Sequence, residues 1–250
     1  MIVKNQKELD ILREGGKKLA AVLSSVAEAA KPGIKTKELD TLAEKLIVGA
    51  GGKPSFKGYK NPIGKNNYPA TLCISINEEV VHGIPDERIL KIGDVVGLDA
   101  GMWYGSYCTD TALTVLVGGG TNKLIEKTKE SLSVGISKVK AGVRIGDIGF
   151  AIQNFLEKNG FGVVRELVGH GVGNAVHEDP EIPNWGKIGT GSEFVEGMII
   201  AIEPMATEGS PKVKLLDDGW TWVTADGSNA AHFEHTLVVT KSGSEILTRF

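Results

Sequence analysis

Apolar positions fall at helical spacing in four stretches and at strand spacing in several others, and the order of the two spacings repeats once along the chain. Leu9, Leu12, Leu19, Leu23 and Val26 share one helical face. Asn5, with Glu8 three residues on, has the form of a capping box, and Pro32 and Gly33 stop the run. Thr36 is placed to cap a second helix carrying Leu39, Leu42 and Leu46, ended by Gly49, Gly51 and Gly52. Residues 53–68 are rich in Gly, Pro, Lys and Asn and read as a loop bearing Phe56, Tyr59 and Tyr68. A short strand follows at 71–76, then EEVVHGIPD with His82.

Two apolar strands come next, at 94–102 and 107–117, joined by a turn containing Gly105. Each holds one acid, Asp99 and Asp110, among β-branched and aliphatic neighbours. A turn centred on Tyr104 and Gly105 sets the two acids directly opposite one another. Like charges so placed repel, and a bare buried carboxylate is costly. A divalent cation between them would relieve both costs. One acid at a sheet end, with the other bonded to turn amides, would do so too, and the hairpin alone leaves both accounts open.

After Gly118, Gly119 and Gly120 the order restarts. A third helix is expected near 122–140, with Leu124, Leu132, Ile136 and Val139, and a fourth ends at Asn159 and Gly160. KAGVRIGDI (140–148) echoes KPGIKTKEL (31–39), and VHEDP (176–180) echoes VHGIP (81–85). GMIIAIE (197–203) overlays GDVVGLD (93–99), and EHTLVV (234–239) echoes DTALTV (110–115). Glu203 thus stands where Asp99 stood, and Glu234 where Asp110 stood. Two copies of roughly 110 residues are too long and too few for a solenoid. They predict one pseudo-two-fold domain over residues 1–250, with halves of about 1–120 and 121–250. Halves packed face to face bring four carboxylates and the histidines to one cleft, where two divalent ions would balance the charge.

In GHGVG (169–173) the glycines are expected to bend the backbone and let His170 reach inward as an imidazole ligand, a donor suited to zinc, iron or cobalt. His82 and His177 occupy matched positions in the two halves, which favours a shared polar task. His232 and His235 flank Glu234 and are expected to point away from it along the pleat, in supporting roles. Cys108 shares a face with Asp110 and reads as small-residue packing.

Composition narrows the class. A net charge of −3 supplies no overall positive field for nucleic acid or anionic lipid. No apolar run reaches the length of a membrane span, and MIVKNQKELD lacks the apolar core of a signal peptide. Cys73 and Cys108 form neither a CxxC pattern nor a disulfide framework, so a reduced cytoplasmic location is expected.

Asp99, Asp110, His170, Glu203 and Glu234, in that order and accompanied by His82 and His177, resemble the methionine aminopeptidase family. So does the wording NEEVVHGIPD, GLDAG, TDTA, GHGVG, VHEDP, AIEPM and FEHT, and the likeness covers essentially the whole chain. It implies the α+β pita-bread fold, a curved antiparallel sheet flanked by two helix pairs. Without an N-terminal cysteine-bearing extension or a large helical insertion, the chain resembles the minimal bacterial type I enzymes.

The resemblance implies hydrolytic removal of the N-terminal methionine from nascent polypeptides with a small second residue. It implies two divalent ions, drawn from Co, Mn, Fe or Zn. Asp99 would chelate one, His170 and Glu203 the other, and Asp110 and Glu234 would bridge them. Such ions lie about 3.5–4 Å apart and activate a shared water. Glu203 would shuttle the proton, His177 donate to the oxyanion, and His82 contact the departing amide nitrogen. Tyr68, Cys73 and Trp220 fall on the positions of the methionine pocket, where sulfur–aromatic contact explains the side chains. Val176 stands where a larger residue is common and Lys65 where tyrosine occurs, which implies a wider or more exposed pocket. Thr109 replaces a smaller residue, and His232 replaces glutamine. The nearest alternative is a proline-specific aminopeptidase or prolidase of the same fold, followed by a catalytically silent binding relative and a creatinase-like amidinohydrolase. Silent relatives lose ligands, whereas this chain keeps all five. The resemblance leaves room for contact with the ribosome surface, although no motif for it is readable, and a monomer is the family default. Ile2 is bulky, so the chain is expected to keep Met1.

Overall fold

The computed structural model describes residues 1–61 and 66–250, and Lys65 lies outside the described residues. The first half opens with helices α1 (Gln6–Ala29) and α2 (Thr36–Gly49). Strands β1 (Lys53–Pro54), β2 (Leu72–Ile76), β3 (Glu79–Val81), β4 (Val95–Tyr104) and β5 (Tyr107–Leu116) follow. Helices α3 (Lys123–Ile136) and α4 (Ile145–Lys158) open the second half. Its strands are β6 (Gly162–Val163), β7 (Gly169–Gly171), β8 (Glu178–Ile182), β9 (Ile199–Ile202) and β10 (Met205–Thr207). The last are β11 (Val213–Leu215), β12 (Trp222–Thr224), β13 (Ala230–His232), β14 (Glu234–Val239) and β15 (Ser244–Ile246).

Local chemistry sets the helix ends. Asn5 Oδ1 accepts the Glu8 amide at 3.1 Å, while the Glu8 carboxylate accepts the amide of Lys4 rather than that of the cap itself. Thr36, expected to cap α2, is instead its first helical residue, and Lys35 is the cap. Thr36 is fully buried, and its hydroxyl finds a partner in the Asp86 backbone, accepting the amide at 2.8 Å and donating to the carbonyl at 3.0 Å. That bond ties α2 to the loop after His82. Helix α3 stops short of the expected Lys140. Lys138 and Val139 bond three residues back, to Gly135 and Ile136, and tighten the last turn.

Among the described residues nine antiparallel strands form the central sheet in the order β1-β4-β5-β14-β9-β7-β8, with β2 beside β4 and β15 beside β14. Side-chain alternation explains how it is covered. Val96, Leu98, Ala100 and Met102 of β4 pack into one core with Leu19 and Leu23 of α1 and Leu39 and Ile47 of α2. In the second half, Ile200, Ile202, Leu237 and Val239 pack with Leu124 and Leu132 of α3 and Ile148 and Ile152 of α4. The residues between them point to the other face. Helix α1 also crosses the chain's last segment closely: a Cβ on Gly16 would stand 2.5 Å from the Leu247 carbonyl oxygen.

The acid hairpin has a different register from the expected one. Tyr104 pairs with Tyr107, so Asp99 faces Ala112 and Asp110 faces Gly101. The turn is centred one residue later, on Gly105 and Ser106, with Gly105 at φ +58°, where glycine is favoured. Asp99 and Asp110 are diagonal neighbours rather than directly opposed, yet they share a face, because a two-residue shift preserves the pleat.

The halves meet where β5 lies against β14, with paired positions at Glu234–Ala112 and His235–Thr111. Threonine hydroxyls extend this seam. Thr111 Oγ1 donates to the Glu234 carbonyl at 2.7 Å, and Thr236 Oγ1 donates to the Asp110 carbonyl at 2.7 Å while accepting its amide at 2.9 Å. Thr114 Oγ1 does the same for the backbone of His232, at 2.8 and 2.9 Å.

Candidate metal centre

Register alone brings the acids together. Asp99, Ala112 and Glu234 form one row across β4, β5 and β14, with Asp110 two residues from Ala112 on the same face. Thr236, Ala201 and His170 form a row across β14, β9 and β7. Glu203 lies two residues beyond Ala201, just past the end of β9, and so faces the same way. Ala112 and Ala201 are both buried, and their small side chains leave space between the ionisable groups. The glycines of GHGVG act otherwise than expected. Gly169–Gly171 is a strand, not a bend, and a Cβ on Gly169 or Gly171 would collide with the carbonyls of Ala201 and Asp179 on the flanking strands. Of the three glycines, Gly173 has a positive φ, +129°.

Ligand atoms of Asp110, His170 and Glu234 lie within 4.8 Å of one another, and all three residues are buried. His170 Nε2 is 3.5 Å from Glu203 Oε1 and 3.9 Å from Glu234 Oε1. His170 Nδ1 lies 2.9 Å from the Gly171 carbonyl, which can only accept, so Nδ1 carries the proton. Burial pushes the His170 pKa down to about 3, so the ring is neutral and the Nε2 lone pair faces the acids. Burial pushes Asp99 up to about 7 and Glu203 up to about 8. Burial, reinforced by the neighbouring acids, also raises Asp110 and Glu234 well above the carboxylate range. Oδ1 of Asp99 and Oδ1 of Asp110 are buried without a hydrogen-bond partner. The His170 lone pair, the carboxyl groups of Asp110, Glu234 and Glu203 about it, and Asp99 lining the same cavity fit a divalent cation: oxygen-rich donors, one imidazole, and orphaned oxygens that a cation would satisfy.

Two further histidines border the acids. His82 adopts a left-handed backbone at φ +60°, an uncommon state for a non-glycine residue. The next residue is held rigidly, since a Cβ on Gly83 would overlap the Ile74 carbonyl and the Ile74 amide bonds the Gly83 carbonyl at 2.8 Å. Burial lowers the His82 pKa to about 4. His177 stands at the exposed rim, its ring 4.4 Å from that of His170 and its Nδ1 2.8 Å from the Tyr59 hydroxyl. Glu178 anchors the same loop, accepting the amides of Asn174 and Ala175 on one oxygen and the Met1 ammonium on the other at 2.7 Å.

The four acids, His82, His170 and His177 line a cavity of about 480 Å³, shared with Phe56, Tyr59, Tyr68, Cys73 and Trp220. The Tyr68 hydroxyl lies 2.8 and 2.9 Å from the carbonyls of Leu72 and Gly83. Trp220 meets its ring edge-on at 5.2 Å and donates Nε1–H to the Asn66 carbonyl at 2.9 Å. Val176 is buried in the apolar cluster behind this pocket, together with Cys108 and Phe56.

Sequence reasoning gave His232 a supporting role but the wrong direction, and gave Tyr59 no role. His232, expected to point away, has Nε2 3.3 Å from Glu203 Oε2. It lies two residues from Glu234, and that spacing was the available signal, because positions two apart share a face. His235 does point away, with Nδ1 3.1 Å from Thr248 Oγ1 and its ring beside Phe250. Tyr59 carried no signal beyond its place in an aromatic loop.

Comparison with known proteins bears on this arrangement. The model of metallopeptidase family M24 matches residues 10–241. The methionine aminopeptidase of Clostridium perfringens is 47% identical over 99% of this chain and 98% of its own length. Methionine aminopeptidase 1 of Bacillus subtilis is 47% identical over 100% and 99%. The crystal structure of the Thermotoga maritima methionine aminopeptidase superposes over the full length of both chains with a TM-score of 0.94 at 42% identity. The prolidase of Pyrococcus furiosus, 22% identical with a TM-score of 0.79 and covered over 66% of its length, shares the fold. The sheet with its two helix pairs is the pita-bread architecture, and the chain belongs to metallopeptidase family M24, within its methionine aminopeptidase branch.

Proposed function

We propose that the chain removes the N-terminal methionine from polypeptides whose second residue is small, acting as one catalytic unit across both halves. The observation that carries this is the junction of the acid cluster with the Tyr68–Cys73–Trp220 pocket in a single cavity. Asp99 would hold one divalent ion, His170 and Glu203 a second, and Asp110 and Glu234 both. Bound ions would supply a water of lowered pKa and polarise the first peptide carbonyl. Mn, Fe, Co and Zn all suit the donor set.

The remaining work falls to side chains. The pocket takes the methionine side chain, with the rings of Tyr68 and Trp220 and the thiol of Cys73 offering polarisable contact to its sulfur. Glu203, at the border of cluster and cavity, accepts the proton of the attacking water and passes it on. His177 donates from Nε2 to the developing oxyanion, which requires Nδ1 to be an acceptor. The Tyr59 hydroxyl, 2.8 Å away, can supply the proton that makes it one. His82 faces the same cavity and is assigned to the leaving amide nitrogen. Nascent chain N-termini are the natural substrates in this proposal. Among the described residues no helix is long and apolar enough to cross a membrane.

Release of methionine from Met-Ala-Ser by the Mn- or Co-loaded protein tests the proposal, with Met-Pro-type and Xaa-Pro peptides as comparison. Preferred cleavage of Xaa-Pro would transfer the assignment to the prolidase side of the fold. No cleavage with any divalent ion would favour a binding role.

A further inference from the structure

We propose that His232 is a positioning residue that fixes the rotamer of Glu203, donating from Nε2 to Oε2 so that Oε1 is left turned toward His170. The inference rests on the metal-site reading above and adds a residue to it. Glu203 is divided between two imidazoles: Oε1 lies 3.5 Å from His170 Nε2, and Oε2 lies 3.3 Å from His232 Nε2. The two rings cannot play the same part. His170 spends its proton on the Gly171 carbonyl, so its Nε2 offers a lone pair. His232 Nε2 is out of solvent, in a residue 3% exposed, and makes no hydrogen bond in this structure; Glu203 Oε2, 3.3 Å away, is an acceptor within its reach. Once ionised, as a metal ligand must be, the Glu203 carboxylate can only accept, so in that state the pairing places the His232 proton on Nε2.

The ring has little freedom to turn elsewhere. Thr114 Oγ1 holds both backbone groups of His232, and Ala231 and His232 are paired in β13 against β10. Glu203 lies beyond the end of β9, where no strand pairing restrains it, although its carbonyl accepts from Asn184 Nδ2 at 3.0 Å. A side chain at a strand end needs a partner of this kind to hold one orientation, and such partners govern both the affinity of a metal site and its geometry.

The test compares wild type with His232→Leu and His232→Met, which fill the space without a donor, and His232→Gln, whose amide N–H can reach the same oxygen. Co(II) affinity is read by calorimetry, coordination by the d–d spectrum, and folding by thermal melting. Whichever apolar variant melts as a folded protein should bind Co(II) about 10–100-fold more weakly with an altered spectrum, and His232→Gln should return to within about threefold of wild type. Wild-type affinity and spectrum in a folded apolar variant, or a glutamine variant as weak as the apolar ones, would overturn the proposal. Nitrogen-15 NMR of the Zn-loaded wild type provides a readout independent of any variant: the Nε2–H tautomer of His232 is expected, and Nδ1–H would overturn it. Wild-type protein that binds no divalent ion would instead defeat the underlying site reading.

Discussion

Each histidine of the cavity owes its chemistry to a different partner. His177 is set by Tyr59 and sits at the rim, so it can be removed without disturbing the acid cluster beneath. His177→Ala should cost about 10²–10³-fold in kcat, as loss of an oxyanion donor does, while Mn content by elemental analysis stays at the wild-type level. Normal turnover would remove its assigned role. His82 lies under a different constraint, its backbone at φ +60°. A left-handed residue with a Cβ costs about 1–2 kcal/mol more than glycine in that state. His82→Gly should therefore be the more stable of two inactive variants, melting above His82→Ala by an amount equivalent to about 1 kcal/mol. The reverse order would show that the backbone relaxes once the ring is gone. Not all of this was legible in the sequence. The echo of VHGIP in VHEDP marks both histidines, but nothing in the chain announces the left-handed turn at His82 or the bond from Tyr59.

The hairpin illustrates how much of an element a sequence can fix. Placing the turn one residue early misplaced every cross-strand pair of β4 and β5 by two positions, yet left both acids on the correct face, since the pleat repeats every two residues. The face was legible because Val96, Leu98, Ala100 and Met102 mark the opposite one as core. The exact partner was not, because it depends on whether Gly105 takes the first or the second place of a two-residue turn. Thr36 failed as a cap for a related reason: a tertiary bond to Asp86 outweighed the local one. The seam between β5 and β14 was invisible, since threonine is common in any strand. It carries a consequence for stability. Thr111 is fully buried, and its hydroxyl bonds the Glu234 carbonyl at 2.7 Å. Thr111→Val keeps the shape and removes the bond, which should destabilise by about 1–3 kcal/mol in chemical denaturation. An unchanged midpoint would mean that the seam is held by its paired backbone alone.

At the scale of the whole molecule, the repeat places two acids from the first half beside two acids and a histidine from the second, so the cost of gathering them is shared by both halves. Buried acids with raised pKa values reverse the usual pH dependence of carboxylates. Asp99 near 7 and Glu203 near 8 hold protons in the folded chain that the unfolded chain, with pKa values of about 4, has already lost. The stability they confer is complete below about pH 4 and drains away as pH rises through the folded values. His82 and His170 tilt the balance the other way, but with folded values near 4 and 3 and an unfolded value of about 6.5 the stability they contribute rises through that range and has levelled off by about pH 7. Between pH 7 and 8.5 the acids act alone, at up to about 1.4 kcal/mol per pH unit for each proton lost. Protein stripped with a chelator should therefore melt at a lower temperature at pH 8.5 than at pH 7. Saturating Mn(II) should raise the melting temperature at both values and more at pH 8.5, because fewer protons compete for the same oxygens. Amide exchange in β4 and β5 of one half and β9 and β14 of the other should slow together on loading, as the ions tie the two halves. A stripped protein whose melting temperature is flat or rising from pH 7 to 8.5 would mean that the four carboxyl groups do not share one buried site.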